Sequence, residues 1–238
     1  MQIGPHPHIG LQTVTWLVTG EVLHRDSLGT EQLIEPGQLN LMTAGRGISH
    51  AEETRTGSAA TQLGVQLWVA QPEGTRHGDP AFEHHADLPV SSTGGWTTTV
   101  LTGALGRDLS PARTDSPLLG CALAASSDAR TRLPLDPAFE HGLVVMRGSV
   151  DIGTTTARPG ALFYLAPGHD VLDIATTETT DAILVGGEPF PEPITMFWNF
   201  VGRDRVEMAE AREAWTAGTE RFGFVDSPLG RIDAPPLI

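Results

Sequence analysis

Residues 6–29 read HPHIGLQTVTWLVTGEVLHRDSLG and contain two short runs of strand-forming residues. The first run, residues 13–18, ends at the turn pair Thr19-Gly20, and the second, residues 22–24, leads into a turn at residues 26–29. Short runs separated by turns at intervals of ~8–12 residues are typical of a β-sandwich or β-barrel. The segment therefore predicts closely spaced short strands.

The same alternation of short strand-forming runs and turns continues along the rest of the chain. In the first half, further runs cover residues 32–35, 39–43 and 62–70; in the second half, they cover residues 142–146, 149–152, 161–166 and 181–185. The repeated order of strand, glycine turn, strand, Pro-Gly and strand indicates a weak internal duplication. Residues 91–106 are predicted to join the two halves, although they could contribute a strand.

One stretch favours a helix. Residues 206–215, VEMAEAREAW, are rich in Ala and Glu, and Asp204 stands where an N-cap is expected. The tail from residue 226 has no periodicity and is predicted to lie over the surface as an extended strap.

The charged residues exclude several classes of function. The 238 residues include 15 basic and 29 acidic ones, for a formal charge of −14, and all 15 basic residues are arginine. Without lysine, neither a Schiff-base enzyme nor a Walker-type nucleotide site can form. The negative charge argues against direct nucleic-acid binding. Because Cys121 is the single cysteine, an internal disulfide and a thiolate metal cluster are also excluded.

No apolar run approaches the ~20 residues of a membrane span. The first ten residues, MQIGPHPHIG, lack the basic region and apolar stretch of a signal peptide. We therefore expect a cytoplasmic protein that does not bind membranes.

Two short motifs suggest a metal site. His6 and His8 are spaced i, i+2, as are His50 and Glu52, and residues at this spacing in a strand face the same side. Two adjacent strands of one barrel could thus converge on one ion with three nitrogens and one carboxylate oxygen, a set that suits Fe(II), Mn, Ni, Cu or Zn. The His6–His8 motif alone is about as compatible with a surface turn as with a ligand pair, and the His50–Glu52 motif alone favours a ligand pair even less, whereas their joint occurrence favours a metal site.

Residues 6–29, together with residues 36–53 (PGQLNLMTAGRGISHAEE) and 186–204 (GGEPFPEPITMFWNFVGRD), resemble the pirin family of the cupin superfamily. The resemblance implies an all-β bicupin of two stacked β-barrels, with a short C-terminal helix and an extended tail. We accordingly predict a metal-binding barrel at residues 1–95, a metal-free barrel at 96–200, and the helix and strap at 201–238.

The resemblance also implies a function and a ligand set. The family's ligands correspond to His6, His8, His50 and Glu52, with one ion that is usually iron, and Glu52 could also take the substrate's proton. The leading hypothesis is an Fe(II)-dependent dioxygenase of quercetinase type that acts on a flavonol-like aromatic molecule. The alternative is a non-catalytic, redox- or metal-responsive protein that binds a transcription regulator or a metabolic enzyme.

Three positions depart from the family pattern. Gln12 stands near the place where many cupins have a ligating Glu, so Glu52 must supply the carboxylate. Ile9 replaces an Arg found in many pirins, which removes a positive charge beside the site. The first ligand comes at residue 6, whereas pirins usually carry a few tens of residues before it. We expect that missing strands would leave a sheet edge uncovered, which bears on stability more than on ligand identity.

Further candidates have a structural alternative beside the functional one. His24 is either a supporting donor at the site or a satisfied turn histidine, and Arg46 either binds substrate oxygen or pairs with an acid. Trp16, Met42 and Trp68 could line an aromatic pocket, although core packing is the commoner role. In the second half, His141 and His169 are interpreted as surface or turn histidines, and Cys121 as a buried small residue.

Overall fold

The computed structural model describes residues 1–55, 57 and 61–237, and 51% of these described residues are strand. The chain divides into two compact units, one of Met1–Asp87 with Pro191–Ile238 and one of Leu88–Phe190. Strands dominate and one short helix lies near the C-terminus, which confirms the all-β prediction. The sequence-based domain boundaries after residues 95 and 200 stay a prediction.

In the described N-terminal part of the first unit there are eight strands. They are β1 (Gln2–His8), β2 (Leu11–Thr19), β3 (Val22–Asp26), β4 (Glu31–Ile34), β5 (Leu39–Thr43), β6 (Ile48–Glu53), β7 (Leu63–Ala70) and β8 (Ala81–His85). They form two antiparallel sheets with the orders β1-β6-β3-β4 and β7-β2-β5-β8. Strand β5 has the predicted bounds, and β2, β3, β4 and β7 agree with the predicted runs to within two residues.

Side-chain alternation in β2 decides which residues face the other sheet. Thr13 and Thr15 lie opposite Trp68 and Gln66 of β7, so these four side chains share one face. Trp68 contacts the His8 ring of β1, and Gln66 hydrogen-bonds to β6, so this face is turned toward the first sheet. The space between the two sheets is therefore lined by alternate residues of each strand.

Eleven strands build the second unit. They are β9 (Val90–Thr93), β10 (Trp96–Leu105), β11 (Asp108–Leu109), β12 (Leu118–Ala125), β13 (Ala129–Pro134), β14 (Glu140–Arg147), β15 (Val150–Ile152), β16 (Thr155–Ala157), β17 (Leu162–Leu165), β18 (Val171–Thr176) and β19 (Thr180–Gly187). One sheet has the order β11-β10-β12-β19-β14-β17 with β9 beside β10, and the other has the order β13-β18-β15-β16.

The predicted join at residues 91–106 is instead part of this second unit. Its residues form β9 and the ten-residue strand β10, which pairs with β12 along most of its length. The strand is rich in Thr, whose β-branched side chain suits a strand but gives a weak hydropathy pattern. Cys121 of β12 is fully buried, as predicted, and burial raises the pKa of its thiol to about 12.

The C-terminal segment packs with the first unit. After the strands β20 (Thr195–Phe197) and β21 (Phe200–Gly202) comes the helix α1 (Arg205–Thr216), followed by a short 3-10 turn, Glu220–Phe222. The carboxylate of Asp204 accepts a hydrogen bond from the Glu207 amide, which confirms the predicted N-cap. Among the residues described, no helix is both long and apolar enough to cross a membrane.

The tail is extended and is fixed by hydrogen bonds to its carbonyl groups. The Trp215 indole donates to the Ile232 carbonyl, and the Arg212 guanidinium donates to the Pro235 carbonyl. The tail therefore covers one side of α1 and holds it in place.

We expect Asp204→Ala to lower the free energy of unfolding by about 1 kcal/mol, because it removes the acceptor for a helix N-terminal amide. Thermal or urea unfolding followed by circular dichroism measures the change. Asp204→Asn keeps an oxygen acceptor at the cap and is the matched control. Equal stability of the Ala and Asn variants would contradict a stabilising role for this cap.

Candidate metal site

The two predicted motifs lie on neighbouring strands. Strands β1 and β6 pair antiparallel, with His6 directly opposite His50, and a register irregularity between Ile3 and His6 precedes this pair. His8 lies two residues farther along β1 and shares the face of His6. Exposure is 7% for His6 and 0% for His8 and His50. Strand pairing thus brings three imidazoles together in a buried place.

The three rings are close enough to share one ion. One nitrogen from each of His6, His8 and His50 lies within 4.8 Å of the other two, and Nε2 of His8 is 3.1 Å from Nε2 of His50. Two nitrogens that each bind one ion at ~2.1 Å and at a right angle are about 3.0 Å apart. The spacing of His8 and His50 therefore fits two ligands of one metal ion.

Backbone carbonyls fix the tautomers of the two β1 histidines. Nδ1 of His6 is 3.0 Å from the Gly4 carbonyl oxygen, and Nδ1 of His8 is 3.1 Å from that of Asn199. A carbonyl oxygen can only accept, so Nδ1 donates in both rings. In a neutral imidazole this leaves the lone pair on Nε2, which is the atom free to bind a metal.

A two-residue turn holds the Asn199 carbonyl in position. Trp198 and Asn199 connect β20 and β21, and Trp198 has a φ of +51°. This left-handed conformation is uncommon for a bulky residue and costs of order 1 kcal/mol or more. Packing of the Trp198 ring edge-on against Phe200, at 5.6 Å, supports the strained turn next to the histidines.

Hydrogen bonds from Asp26 through His24 fix the tautomer of His50. Nε2 of His24 lies 3.0 Å from Oδ2 of Asp26, and Nδ1 of His24 lies 3.4 Å from Nδ1 of His50. Since a carboxylate accepts, His24 donates from Nε2 when neutral and its Nδ1 accepts from Nδ1 of His50. The lone pair of His50 then also lies on Nε2. The lone pairs of His8 and His50 face each other, an arrangement that a cation between them stabilises.

The protonation states agree with this arrangement. Burial lowers the pKa of His8 to about 3, with a further contribution from the charge of His6, and it lowers that of His50 well below its usual value. Burial also lowers the pKa of His6. Burial opposes the ionisation of Asp26, yet the hydrogen bond from His24 lowers the pKa of its carboxyl overall. Neutral imidazoles are the form that binds metal.

Glu52 is also buried, on the same strand as His50. Its carboxylate does not belong to the group of atoms within 4.8 Å of one another that the three histidines form. Glu52 follows His50 at i+2 in β6 and lies opposite His24 of β3. Its Oε1 accepts a hydrogen bond of 2.6 Å from Nε2 of Gln66, and burial raises the pKa of its carboxyl. A ligand role for Glu52 stays a prediction.

Two of the predicted aromatic-pocket residues lie near the histidines. The Trp68 ring is edge-on to His8 at 5.3 Å and is 39% exposed. Met42 is buried in a cluster with Phe82, and the Phe82 ring stacks on His24 at 4.5 Å. Trp68 therefore contacts a candidate ligand directly, and Met42 belongs to the cluster that supports the Phe82 ring on His24.

The remaining candidates lie elsewhere. Gln12 and Trp16 are on the face of β2 opposite to Thr13 and Thr15, and the Gln12 amide donates to the Thr43 hydroxyl. Arg46 forms an exposed ion pair with Asp79, which agrees with the structural alternative.

Sequence reasoning missed three supporting residues. Asp26 was detectable, because His24 and Asp26 have the same i, i+2 spacing as the two ligand motifs. Gln66 and Phe82 carry no local pattern of their own. Only the pairing of β7 with β2 and of β8 with β5 places them at the site.

A cavity of about 350 Å³ adjoins Glu52. Its polar lining includes Glu52, Gln66 and Thr15, and its apolar lining includes Leu17 and Val22. This volume falls in the range of small-molecule sites. A buried carboxylate thus faces a mostly apolar space large enough for an aromatic ring system.

Comparisons with known proteins identify the family of this chain. A family model described as Pirin matches residues 1–69, and one described as Pirin C-terminal cupin domain matches residues 121–223. A Pseudomonas aeruginosa protein provisionally named quercetin 2,3-dioxygenase is 46% identical over 238 residues, covering 100% of this chain and 75% of the relative. A pirin-like protein of Caulobacter vibrioides is 33% identical, covering 94% and 78%.

Solved structures show the same fold. The crystal structure of an Acinetobacter baumannii quercetin 2,3-dioxygenase has a TM-score of 0.96 and 42% identity, covering 100% of this chain and 80% of that one. A bacterial pirin of Escherichia coli, solved in complex with nickel(II), has a TM-score of 0.63 and 22% identity, covering 79% and 77%. At that lower identity the likeness concerns the fold alone. The family models and the 46% identical relative establish that this chain belongs to the pirin family.

Proposed function

We propose that this protein is a metal-dependent dioxygenase that opens the ring of a flavonol-like substrate. The observation that carries the proposal is the convergence of three buried imidazoles, each with one nitrogen within 4.8 Å of the other two. The names of the relatives from Pseudomonas aeruginosa and Acinetobacter baumannii support the choice of reaction. The adjoining cavity supports an aromatic substrate.

His6, His8 and His50 would bind the ion, which we propose to be Fe(II), and Glu52 would complete the set from the same face of β6. When bound, a redox-active metal supplies the one-electron chemistry through which dioxygen reacts with an organic molecule. Mn, Ni, Cu and Zn suit the same donors, so the donor set alone does not select iron.

Glu52 is suited to receive the proton of a substrate hydroxyl. Burial raises the pKa of its carboxyl, which brings its basicity closer to that required for proton transfer at neutral pH. Gln66 donates to Oε1 and so fixes the carboxylate in orientation. The proton moves from the substrate hydroxyl to a carboxylate oxygen of Glu52, and the apolar walls at Leu17 and Val22 limit access of water.

We expect Glu52→Gln to lower flavonol-dependent oxygen consumption by about 10²-fold or more, because the amide cannot accept the substrate proton. An oxygen electrode with quercetin measures the rate, and elemental analysis measures metal per chain. If Glu52 is also a ligand, the metal content falls too.

Glu53→Gln is the matched control for this test, since its carboxylate bonds with Ser227 and not with the histidines. Undiminished oxygen consumption in Glu52→Gln would contradict the assigned role of Glu52. Absence of turnover in fully iron-loaded protein would contradict the dioxygenase proposal for quercetin. The alternative, a metal-responsive protein that binds a regulator or another enzyme, would then take its place.

The Asp26–His24 pair is proposed to hold His50 in the tautomer that binds metal. In Asp26→Asn the side-chain amide can donate to His24, which reverses the direction of the hydrogen bonds to His50. We expect the affinity for the metal to fall about 10- to 100-fold. Competition with a chromophoric chelator measures this affinity without relying on turnover.

Asp79→Asn is the matched control, because Asp79 pairs with Arg46 at an exposed position. Its metal affinity should equal that of the unmodified protein. Unchanged affinity in a folded Asp26→Asn variant would show that the tautomer of His50 does not depend on Asp26.

A further inference from the structure

The second unit contains a buried histidine with an unusual environment. His141 of β14 is 2% exposed, so its interpretation as a surface or turn histidine is wrong, whereas His169 is exposed. Neither ring nitrogen of His141 has a hydrogen-bond partner among the residues that the structure describes. Buried polar groups without partners are rare in native proteins and require an explanation.

Strand pairing places His141 on the face of its sheet that is turned toward the core of the second unit. Leu119 of β12 pairs with Gly186 of β19, and Gly186 pairs with His141, which pairs in turn with Leu165 of β17. Directly paired residues face the same side of a sheet, and Leu119 and Leu165 belong to the core. His141 is therefore the one polar side chain in this four-residue row.

Gly186 makes room for the imidazole. A Cβ atom at Gly186 would lie 2.5 Å from Cδ2 and 3.1 Å from Nε2 of His141, so any side chain there would collide with the ring. The ring consequently lies over Gly186, with its Cδ2 and Nε2 atoms closest to that residue. The glycine is required here by this close approach.

Leu119 also lines a cavity of about 420 Å³ in the same unit. Its other walls include Pro134, Leu135, Pro137 and Phe139, and the carboxylate of Asp136 stands at it as well. The Phe139 ring lies 6.1 Å from the His141 ring. His141 does not itself line the cavity, but it neighbours two residues that do, Leu119 across Gly186 and Phe139.

The cavity and the neighbouring His141 together indicate which class of ligand would fit. Burial lowers the pKa of His141, so its ring is neutral and offers one N–H donor and one lone-pair acceptor. The hydroxyl of a phenol also both donates and accepts, and its ring matches the Leu119, Leu135 and Phe139 side chains on a cavity surface that is otherwise about half polar. The nearby Asp136 carboxylate and the formal charge of −14 disfavour an anion.

We propose that the cavity of residues 88–190 binds a neutral one-ring phenol, with its hydroxyl hydrogen-bonded to His141. This second site is separate from the histidines of the first unit and does not depend on their proposed activity. Since His141 is almost fully covered, binding moves the half-buried Phe139 ring away from the imidazole.

Titration of the full chain with p-cresol, followed by calorimetry and by NMR of ¹³C-labelled histidine rings, tests the proposal. We expect a dissociation constant between ~0.1 mM and several mM, as is usual for so small a ligand, and a shift of the His141 resonance. Toluene, which lacks the hydroxyl, should bind at least tenfold more weakly.

His141→Leu should lower the affinity for p-cresol at least tenfold, and Gly186→Ala should do the same by displacing the ring. The matched control is His169→Ala, an exposed histidine of the same unit, which should bind like the unmodified protein. His8→Ala should also retain binding, which separates this site from the first-unit cavity.

Three results would overturn the proposal: no binding at 10 mM p-cresol, equal binding of toluene, or undiminished binding in folded His141→Leu. The comparison of p-cresol with toluene uses the unmodified protein, so it decides the question even where a variant fails to fold. Loss of binding in His8→Ala but not in His141→Leu would assign the phenol to the first unit instead.

Discussion

The antiparallel pairing of β1 with β6 is the constraint on which the candidate site depends. It sets His6 opposite His50, and because side chains alternate in a strand, His8 and Glu52 follow on the same face. A shift of this register by one residue would put His6 and His8 on the opposite face of the sheet from His50 and Glu52, so the two motifs could not converge. The neighbouring pairing of β3 with β6 adds His24 and Asp26 in the same way. One sheet thus supplies both the ligands and the residues that orient them.

The hydrogen-bond acceptors around this sheet also fix the tautomers of its histidines. Carbonyl oxygens at Gly4 and Asn199 and the carboxylate at Asp26 can only accept, and each of them forces a neighbouring imidazole to donate from a defined nitrogen. The lone pairs that remain face one another. Their mutual repulsion is a cost that metal binding removes, so the donor set is arranged in advance for a cation.

The interiors of the two units differ in polarity. In the first unit, several histidines between the sheets support one another through hydrogen bonds and ring contacts. In the second unit, the corresponding space is filled mainly by Val, Leu and Ile, and His141 is left among them without a partner in the described chain. A single neutral imidazole near a cavity suits the recognition of one hydroxyl group, whereas three converging ones suit a metal ion.

By itself, the sequence determined the strand periodicity, the helix N-cap at Asp204 and the i, i+2 motifs, because these depend on residues close together in the chain. It also carried the resemblance to the pirin family. Tertiary structure alone decided that Asn199 lies against His8, 191 residues away, that Gln66 holds Glu52, and that His141 is buried. Those outcomes depend on which strands pair and in which register, and local hydropathy does not encode these long-range choices.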